Sequence, residues 1–179
     1  MARVKSVRPG TPGRVRIIGG TLRGSVLEVP VHAGLRPTPG RVRETLFNWL
    51  QPYLAGVRCL DLFAGSGALG VEALSRGAAS VDFVERDAGL ARALRGQLER
   101  LRQSKAQVHC ADALDWLGKM PTQAYDLVLL DPPFALDLWS PVAEALEALP
   151  WLAQTAWIHV EMPVATNFVP PATWSELVR

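Results

Sequence analysis

Cys59-Leu60-Asp61-Leu62-Phe63-Ala64-Gly65-Ser66-Gly67-Ala68-Leu69-Gly70 is the stretch that decides the fold. It begins as a short apolar run typical of a strand and ends as an Ala- and Leu-rich run typical of a helix. Gly65 and Gly67 lie between the two runs, where the absence of side chains lets the backbone turn sharply and a ligand come close. The pattern predicts a loop that binds a nucleotide-type cofactor.

The choice of cofactor depends on Asp61. Gly65, Gly67 and Gly70 match the G-x-G-x-x-G pattern of dinucleotide-binding folds, with Glu85 about 20 residues further on. A carboxylate at Asp61 would repel the pyrophosphate of a dinucleotide, whereas it would favour the sulfonium and ammonium of S-adenosylmethionine. We therefore predict S-adenosylmethionine as cofactor and S-adenosylhomocysteine as product. The alternative is that Asp61 only accepts hydrogen bonds from loop N–H groups as a turn residue.

Length and composition indicate one globular domain. The chain has 179 residues, of which 49% are hydrophobic and 20% charged, which is ordinary for a folded domain. Cys59 and Cys110 lie in apolar runs, so we predict two buried, reduced cysteines with no disulfide and no metal site. The N-terminus lacks the apolar segment of a signal peptide, and no apolar run reaches membrane length, which predicts a cytoplasmic protein.

Positive charge is concentrated near the N-terminus. The first 50 residues hold nine of the nineteen Lys and Arg residues and only two acidic ones, although the whole chain carries a net charge of only +2. Eight of these nine basic residues are arginine, whose guanidinium fork matches phosphate. The distribution favours a nucleic acid as partner, and the alternative is a solvated tail.

The first part of the chain is predicted to precede the main sheet. Residues 1–13 are interpreted as a flexible basic arm because they contain too little apolar surface to fold alone. Residues 14–18 and 25–29 read as the strands of a β-hairpin that leans on the domain. A helix is predicted from about Pro39 to Leu54, with Thr38 as its N-cap. Its predicted buried face consists of Val42, Leu46, Trp49 and Leu50. Residues 14–56 thus form a hairpin and a cover helix.

From Val57 onwards, short apolar strands alternate with Ala- and Leu-rich helices. Strict alternation predicts an α/β fold, a doubly wound and mainly parallel sheet with helices on both faces, over residues 57–179. The predicted strands are 57–62, 80–85, 106–110, 125–130 and 155–161, and the predicted helices are 68–76, 88–101, 113–119 and 139–149.

Acidic residues fall at the carboxyl ends of the first four of these strands: Asp61, Glu85, Asp112 and Asp131. Ligands of such sheets bind at these ends. Glu85 is placed to accept both hydroxyls of a ribose, and Asp112 with Ala113 to contact an adenine. Asp112 could equally be only the N-cap of the next helix.

Asp131-Pro132-Pro133-Phe134 is the most specific short motif. The two prolines end a strand and hold the Asp131 carboxylate and the Pro132 carbonyl as hydrogen-bond acceptors. An exocyclic amine can donate to both, while Phe134 can stack on its base. The motif predicts transfer of a methyl group to an amine by direct displacement, on a base that is flipped out or unpaired. The alternative is a strand-ending turn with a buried Phe. Neither cysteine lies in a Pro-Cys setting, so no covalent base adduct is expected.

Five blocks together resemble the bacterial RsmD family, which methylates the N2 amine of guanine 966 in 16S ribosomal RNA. The blocks are Ile17–Gly20, Leu35–Thr38, Arg41–Leu50, Asp61–Gly70 and Asp131–Phe134. The resemblance implies a class I S-adenosylmethionine-dependent methyltransferase fold and the small ribosomal subunit as partner. It further implies that Arg36, Thr38 and Arg43 close the donor site, while the hairpin and arm grip RNA.

The predicted site residues follow from the motifs and the resemblance together. The catalytic set is Asp131, Pro132, Pro133 and Phe134. The cofactor-binding set is Arg36, Thr38, Arg43, Asp61, Phe63, Ala64, Gly65, Ser66, Gly67, Glu85, Arg86, Asp112 and Ala113. The RNA-binding set is Arg14, Arg16, Arg23 and Arg41.

Three other functions remain open at this point. An adenine-N6 methyltransferase could use the same acceptor turn. A nicotinamide oxidoreductase is disfavoured by Asp61 and by the lack of a Tyr-Lys or His catalytic set, and a non-catalytic RNA-binding module is disfavoured by the intact Asp131–Phe134 turn. The resemblance also implies a closing antiparallel pair of strands. The sequence reaches Trp174–Arg179 where the first would begin, so we expect the fifth strand to lie at an exposed edge. A monomer is expected.

Overall fold

The structure is a computed structural model that describes residues 13–31 and 39–175. Within these residues no helix is long and apolar enough to cross a membrane. The strands are β1 (Gly13–Arg16), β2 (Val26–Val29), β3 (Arg58–Asp61), β4 (Ser80–Glu85), β5 (Ala106–Cys110), β6 (Tyr125–Leu130) and β7 (Leu152–Val160). The helices are α1 (Gly40–Leu50), α2 (Ala68–Ser75), α3 (Ala88–Arg100), α4 (Ala113–Leu117) and α5 (Trp139–Ala148). Short 3-10 turns cover Gln51–Tyr53 and Phe134–Leu136.

The main sheet is parallel and has the order β5-β4-β3-β6-β7. The predicted doubly wound α/β fold with an N-terminal hairpin is therefore confirmed. Alternate residues of the central strands point to opposite faces, so that Cys59 packs in one core and Leu60 in the other. The core on one face contains residues of α1, α2 and α3, and the core on the other contains residues of α4 and α5.

The hairpin of β1 and β2 packs against the domain, as predicted. The two strands pair antiparallel, and their inward side chains Val15, Leu27 and Val29 are buried in the same core as α2 and α3. The side chain of Gln97 on α3 bonds the backbone of Glu28, accepting from its N–H at 2.6 Å and donating to its carbonyl at 3.0 Å. The buried side-chain amide of Gln97 thus makes the same two hydrogen bonds to Glu28 that the backbone of a neighbouring strand would make.

The connection between β1 and β2 is fixed to the end of α2. The N–H of Thr21 donates to the carbonyl of Ser75 at 2.7 Å, and the N–H of Leu22 donates to the Ser75 hydroxyl at 2.9 Å. Gly20 has a φ of 73°, and a Cβ added there would lie 1.8 Å from the Ser75 carbonyl oxygen. Only glycine fits here, because the backbone is left-handed and the contact leaves no space.

The buried face of helix α1 matches the predicted one in part, since Leu46 and Leu50 are buried as predicted. Val42 and Trp49 are 44% and 55% exposed, and the buried residues are Arg43, Leu46, Phe47 and Leu50. The prediction did not include Phe47 or Arg43, and Arg43 is buried because the carboxylate of Glu72 on α2 lies beside it. The helix begins one residue after Pro39, which takes the N-cap position, and Thr38 lies outside the described residues.

Two further predictions concern the strand edges. Cys59 is buried as predicted, but the prediction for Cys110 is wrong, because this residue ends the edge strand β5 and is exposed. At the other edge of the sheet, β7 contains no buried residue.

Residues 1–12 of the predicted arm lie outside the described residues, and Gly13 already pairs with Val29.

Candidate active site

Three carboxylates meet at the carboxyl ends of the central strands. Asp61 ends β3, Glu85 ends β4 and Asp131 directly follows β6. The strand order reverses between β3 and β6, which is where sheets of this kind open a ligand crevice. Burial raises the pKa of Asp61 to about 7, with the hydrogen bond from Gly70 opposing and the charges of Asp131 and Glu85 adding to the shift. The three side chains therefore share one region, which we call the acidic hollow.

The glycine-rich loop forms one wall of the acidic hollow. The N–H of Gly65 donates to Oε2 of Glu85 at 2.9 Å, and the N–H of Gly67 donates to the carbonyl of Ala64 at 2.7 Å. Gly67 precedes α2 with a φ of 76°, and a Cβ there would lie 2.4 Å from Cδ1 of Leu94. Both the left-handed backbone and the contact with α3 require glycine at this position.

Asp61 also has a local structural role. Its Oδ2 accepts a 2.9 Å hydrogen bond from the N–H of Gly70 in the first turn of α2, and the residue is 2% exposed. A Cβ at Gly70 would lie 2.3 Å from the ring of Phe83, so glycine lets the helix approach the sheet closely enough for this bond. The positive end of the helix dipole favours the ionised carboxylate, while burial disfavours it. The alternative role of Asp61 as a hydrogen-bond acceptor for backbone N–H groups is thus present, at the helix instead of the loop.

Glu85 and Asp112 both bond backbone N–H groups. Oε1 of Glu85 accepts from the N–H of Asp87 at 2.7 Å, in addition to the bond from Gly65, so this carboxylate connects the loops that follow β3 and β4. Asp112 is the N-cap of α4, with Oδ1 accepting from the N–H groups of Leu114 and Asp115 at 2.9 and 3.5 Å. The N-cap interpretation of Asp112 is therefore observed, and a contact with adenine remains a prediction.

The Asp131–Phe134 turn borders the acidic hollow from the side of β6. Pro132 is buried, and Pro133 has the extended backbone expected of it, with φ −55° and ψ 118°. The Phe134 side chain is 49% exposed, and its ring centroid lies 6.0 Å from that of Trp139. A strand-ending turn with a buried Phe is therefore not what the chain forms. An exposed ring next to the acidic hollow is able to stack on a planar ligand.

The basic residues of the N-terminal part belong to the hairpin and to α1. Arg14, Arg16, Arg23 and Arg41 are exposed, as an RNA-binding role requires. Arg43 is 4% exposed and donates from Nη2 to the carbonyl of Arg16 at 3.1 Å, and burial lowers its pKa. The described contacts of Arg43 thus join α1 to the hairpin and do not include the residues of the acidic hollow.

Five of the remaining predicted cofactor residues lie in the loops that follow β3 and β4 or at the start of α4. Phe63 is half-buried, Ala64, Ser66 and Ala113 are buried, and Arg86 is exposed beside Glu85. Arg36 and Thr38 lie outside the described residues. In the two described ranges, no group of three or more His, Cys, Asp or Glu side chains is arranged to hold a metal ion.

Sequence reasoning missed Glu72. This residue of α2 is fully buried, and its oxygens accept 2.8 Å hydrogen bonds from the N–H groups of Ile18 and Gly19 and from Nε of Arg76. Nη1 of Arg43 lies 3.8 Å from Oε2 of Glu72. The signal was a single acid within an otherwise apolar helix, with an arginine four residues later. Glu72 positions the hairpin beside α1 and α2.

Comparison with known proteins gives consistent matches over most of the chain. The sequence is 47% identical to the ribosomal RNA small subunit methyltransferase D of Escherichia coli strain K12 over 165 residues, covering 91% of this chain and 82% of that protein. It is 44% identical to the protein of the same name from Haemophilus influenzae, covering 94% and 89%.

Solved structures agree with these matches. The candidate methyltransferase yhhF of Escherichia coli has a TM-score of 0.83 at 45% identity, covering 91% of this chain and 89% of that one. A candidate methylase of Haemophilus influenzae has a TM-score of 0.80 at 41% identity, covering 93% and 91%. The model of the family described as conserved hypothetical protein 95 matches residues 15–179. This chain therefore belongs to that family, the RsmD family that its sequence motifs resemble.

Proposed function

We propose that this protein transfers a methyl group from S-adenosylmethionine to the exocyclic N2 amine of guanine 966 in the 16S RNA of the small ribosomal subunit. The observation that carries the proposal is the acidic hollow of Asp61, Glu85 and Asp131 beside the proline-stiffened turn with its exposed Phe134. The relatives from Escherichia coli and Haemophilus influenzae bear the name of a small subunit ribosomal RNA methyltransferase, which supports the substrate class.

The acidic hollow fits a positively charged cofactor. A carboxylate buried as deeply as Asp61 is costly to ionise, and a cation beside it offsets that cost. A pyrophosphate in the same place would be repelled. When bound, S-adenosylmethionine supplies a methyl group on a positively charged sulfur.

The predicted donor residues other than Arg43 each have a task in the proposal. Asp61 attracts the positive charge, and the loop of Phe63, Ala64, Gly65, Ser66 and Gly67 holds the cofactor against the sheet. Glu85 accepts hydrogen bonds from ribose hydroxyls, because a carboxylate oxygen that already accepts one N–H has a further lone pair. Arg86, Asp112 and Ala113 surround the adenine, and Arg36 and Thr38 close the site.

The Asp131–Phe134 turn orients the acceptor amine. The Asp131 carboxylate and the Pro132 carbonyl accept the two N–H groups, so the nitrogen lone pair points towards the acidic hollow. Phe134 stacks on the base that carries the amine. The nitrogen forms its new bond to carbon as the carbon–sulfur bond breaks, and the amine then loses one proton. Rate enhancement comes mainly from this alignment.

The hairpin and cover helix, residues 14–56, are proposed to contact the RNA around the target base. Arg14, Arg16, Arg23 and Arg41 supply exposed positive charge there, and backbone phosphates are the groups that such residues bind in nucleic acids. The remaining chain, 57–179, is proposed to carry the donor and the chemistry.

Methyl transfer to small ribosomal subunits from a strain lacking the activity tests the proposal. Tritiated donor measures the rate, and mass spectrometry of nucleosides identifies the product. Asp131→Asn is expected to reduce transfer at least about 100-fold, because the aligned acceptor is lost, while calorimetry shows nearly unchanged binding of S-adenosylhomocysteine.

The matched control is Asp137→Asn, the same change on an exposed residue of the same segment. Asp137 has a φ of 46°, which asparagine tolerates, so wild-type activity is expected. Retained turnover in Asp131→Asn would remove Asp131 from the mechanism. If the product is N6-methyladenosine, the target base is adenine and the guanine proposal is wrong. If the protein binds NAD and does not bind S-adenosylhomocysteine, the proposed methyl transfer is wrong as a whole.

A further inference from the structure

A groove of about 570 Å³ lies between β1 and the beginning of α1, and its described lining includes none of the three carboxylates of the acidic hollow. Its charged lining residues are Arg14, Arg16, Arg41, Arg43 and Glu44. Four guanidinium groups thus face one carboxylate. Arg14 and Arg16 are exposed on the same side of β1, two residues apart. We call this feature the arginine groove.

Arg43 forms the buried floor of the arginine groove. Its side chain is 4% exposed, and among the residues that the structure describes its Nε and Nη1 have no hydrogen-bond partner. Nη1 lies 3.8 Å from Oε2 of Glu72, which is too long for a hydrogen bond. Both Glu72 oxygens already accept from Ile18, Gly19 and Arg76. Buried N–H donors without acceptors are unfavourable, so this arginine has capacity for an anion.

The N-terminus of α1 opens into the same groove. Pro39 and Gly40 are lining residues, and α1 has no acidic residue in its first turn. No side chain of the described residues caps the helix by a hydrogen bond. A Cβ added at Gly40 would meet no atom of residues 13–31 or 39–175 within 4 Å, so this part of the chain leaves the first turn open. The free N–H groups and the dipole of a helix N-terminus favour a negatively charged group.

We propose that the arginine groove binds a phosphodiester group of the substrate RNA backbone, held by Arg43 and the first turn of α1 in the floor and by Arg14, Arg16 and Arg41 at the rim. The inference rests on the proposed function, since it names the contact by which the RNA is held. Side chains two residues apart on a strand are separated by about 6–7 Å, which lets Arg14 and Arg16 follow successive phosphates of one strand. The proposal places Arg43 on the RNA side, instead of the donor side that the family resemblance implies.

Binding of the full chain to small ribosomal subunits, measured at several salt concentrations, tests the proposal. The double variant R14Q/R41Q is expected to bind at least about tenfold more weakly, with a salt dependence that is shallower by about one to two units of slope. R43K keeps the positive charge but loses Nε and the planar fork. We expect it to bind the subunit about tenfold more weakly, with binding of S-adenosylhomocysteine unchanged by calorimetry.

The matched control is K105Q/K119Q, which removes the same charge from exposed residues. Lys105 precedes β5 and Lys119 follows α4, so both lie at the amino-terminal edge of the sheet, opposite the carboxyl ends. Its binding to the subunit is expected to change by less than about twofold. Thermal unfolding shows whether R43K is folded. If R43K does not fold, the double variant R14Q/R41Q still tests the proposal, because it alters only exposed residues.

The outcomes separate the two proposals. If wild-type protein methylates the subunit but R14Q/R41Q binds it no more weakly than the control, the arginine groove proposal is overturned and the proposed function stands. If R43K loses affinity for S-adenosylhomocysteine and keeps its affinity for the subunit, Arg43 belongs to the donor site and the proposal also fails. If wild-type protein binds the subunit through the groove without methylating it, the proposed function fails alone. If it does neither, both are wrong.

Discussion

Asp61→Asn should reveal what the buried carboxylate of the acidic hollow contributes. The substitution keeps the size of the side chain, and the amide oxygen can still accept the hydrogen bond from the N–H of Gly70. It removes the negative charge. The effects on folding and on donor binding should therefore be opposite in sign.

The folding effect follows from the pKa of Asp61, which burial raises from 3.8 to about 7. The folded protein then holds this proton more tightly than the unfolded chain does, so the free energy of unfolding falls as the pH rises from about 4 to about 7. A difference of about three pKa units corresponds to about 4 kcal/mol. Asp61→Asn should be more stable than the wild type by a few kcal/mol at pH 8, and close to it at pH 4.

The binding effect follows from the positive charge of the donor. A cation beside Asp61 favours the ionised form, so binding of S-adenosylmethionine below pH 7 should release a proton, and the affinity should rise by up to about tenfold per pH unit from pH 5.5 to 7. In Asp61→Asn this rise should disappear. At pH 7.5 the affinity should be lower by roughly tenfold to a hundredfold.

Two measurements check these expectations. Denaturant unfolding between pH 4 and 8 gives the stability difference, and calorimetry in buffers of different ionisation enthalpy counts the protons released on donor binding. Asp137→Asn serves as the control with an exposed carboxylate. If the variant and the wild type show the same stability at pH 8 and the same pH dependence of donor affinity, the account of Asp61 is refuted.

Two further predictions concern the attachment of the hairpin. Glu72→Gln should lower the free energy of unfolding by about 3–5 kcal/mol, since two N–H groups and two arginines lose a buried charge. The control Asp126→Asn removes a carboxylate from an ion pair that is about one-third exposed, and it should lower the free energy of unfolding by about 1 kcal/mol or less. Equal losses in denaturant unfolding would contradict the role of Glu72. Gly20→Ala should lower the free energy of unfolding by about 3 kcal/mol or more, because the added Cβ would clash with the Ser75 carbonyl oxygen. Gly24 has a φ of 86° but open space around it, so Gly24→Ala should lower the free energy of unfolding by only about 1–2 kcal/mol. Hydrogen exchange of the hairpin amides should rise in Gly20→Ala, and unchanged protection would show that the tip does not anchor the hairpin.

Local patterns were enough to predict the architecture. Alternating short apolar runs and Ala/Leu-rich runs predicted the parallel sheet, because burial on both faces demands continuous apolar strands. The positions of Asp61, Glu85 and Asp131 after apolar strands predicted that they would share one edge, and their electrostatic influence on one another agrees with this. The exposure of Phe134 could not be predicted, since a proline turn can bury or expose the next residue.

Contacts between distant segments decided the rest. The burial of Arg43 in α1 was not predicted, because its partner Glu72 lies 29 positions away and no periodicity within α1 contains that information. Cys110 is exposed because β5 has a neighbour on one side only in the described sheet, which depends on the order of strands and not on the apolar run around it.

The sequence by itself determined the order of the elements, the glycine turn and the carboxylates at the strand ends, because these depend on residue type and on spacing along a single segment. Only the tertiary structure decided that the hairpin, α1 and α2 meet around Glu72, that Arg43 faces a groove with Arg14 and Arg16, and that Asp61 is buried enough to raise its pKa. The physical reason is that burial and charge pairing depend on which segments are brought together, and residues more than 20 positions apart acquire these properties only when the chain has folded.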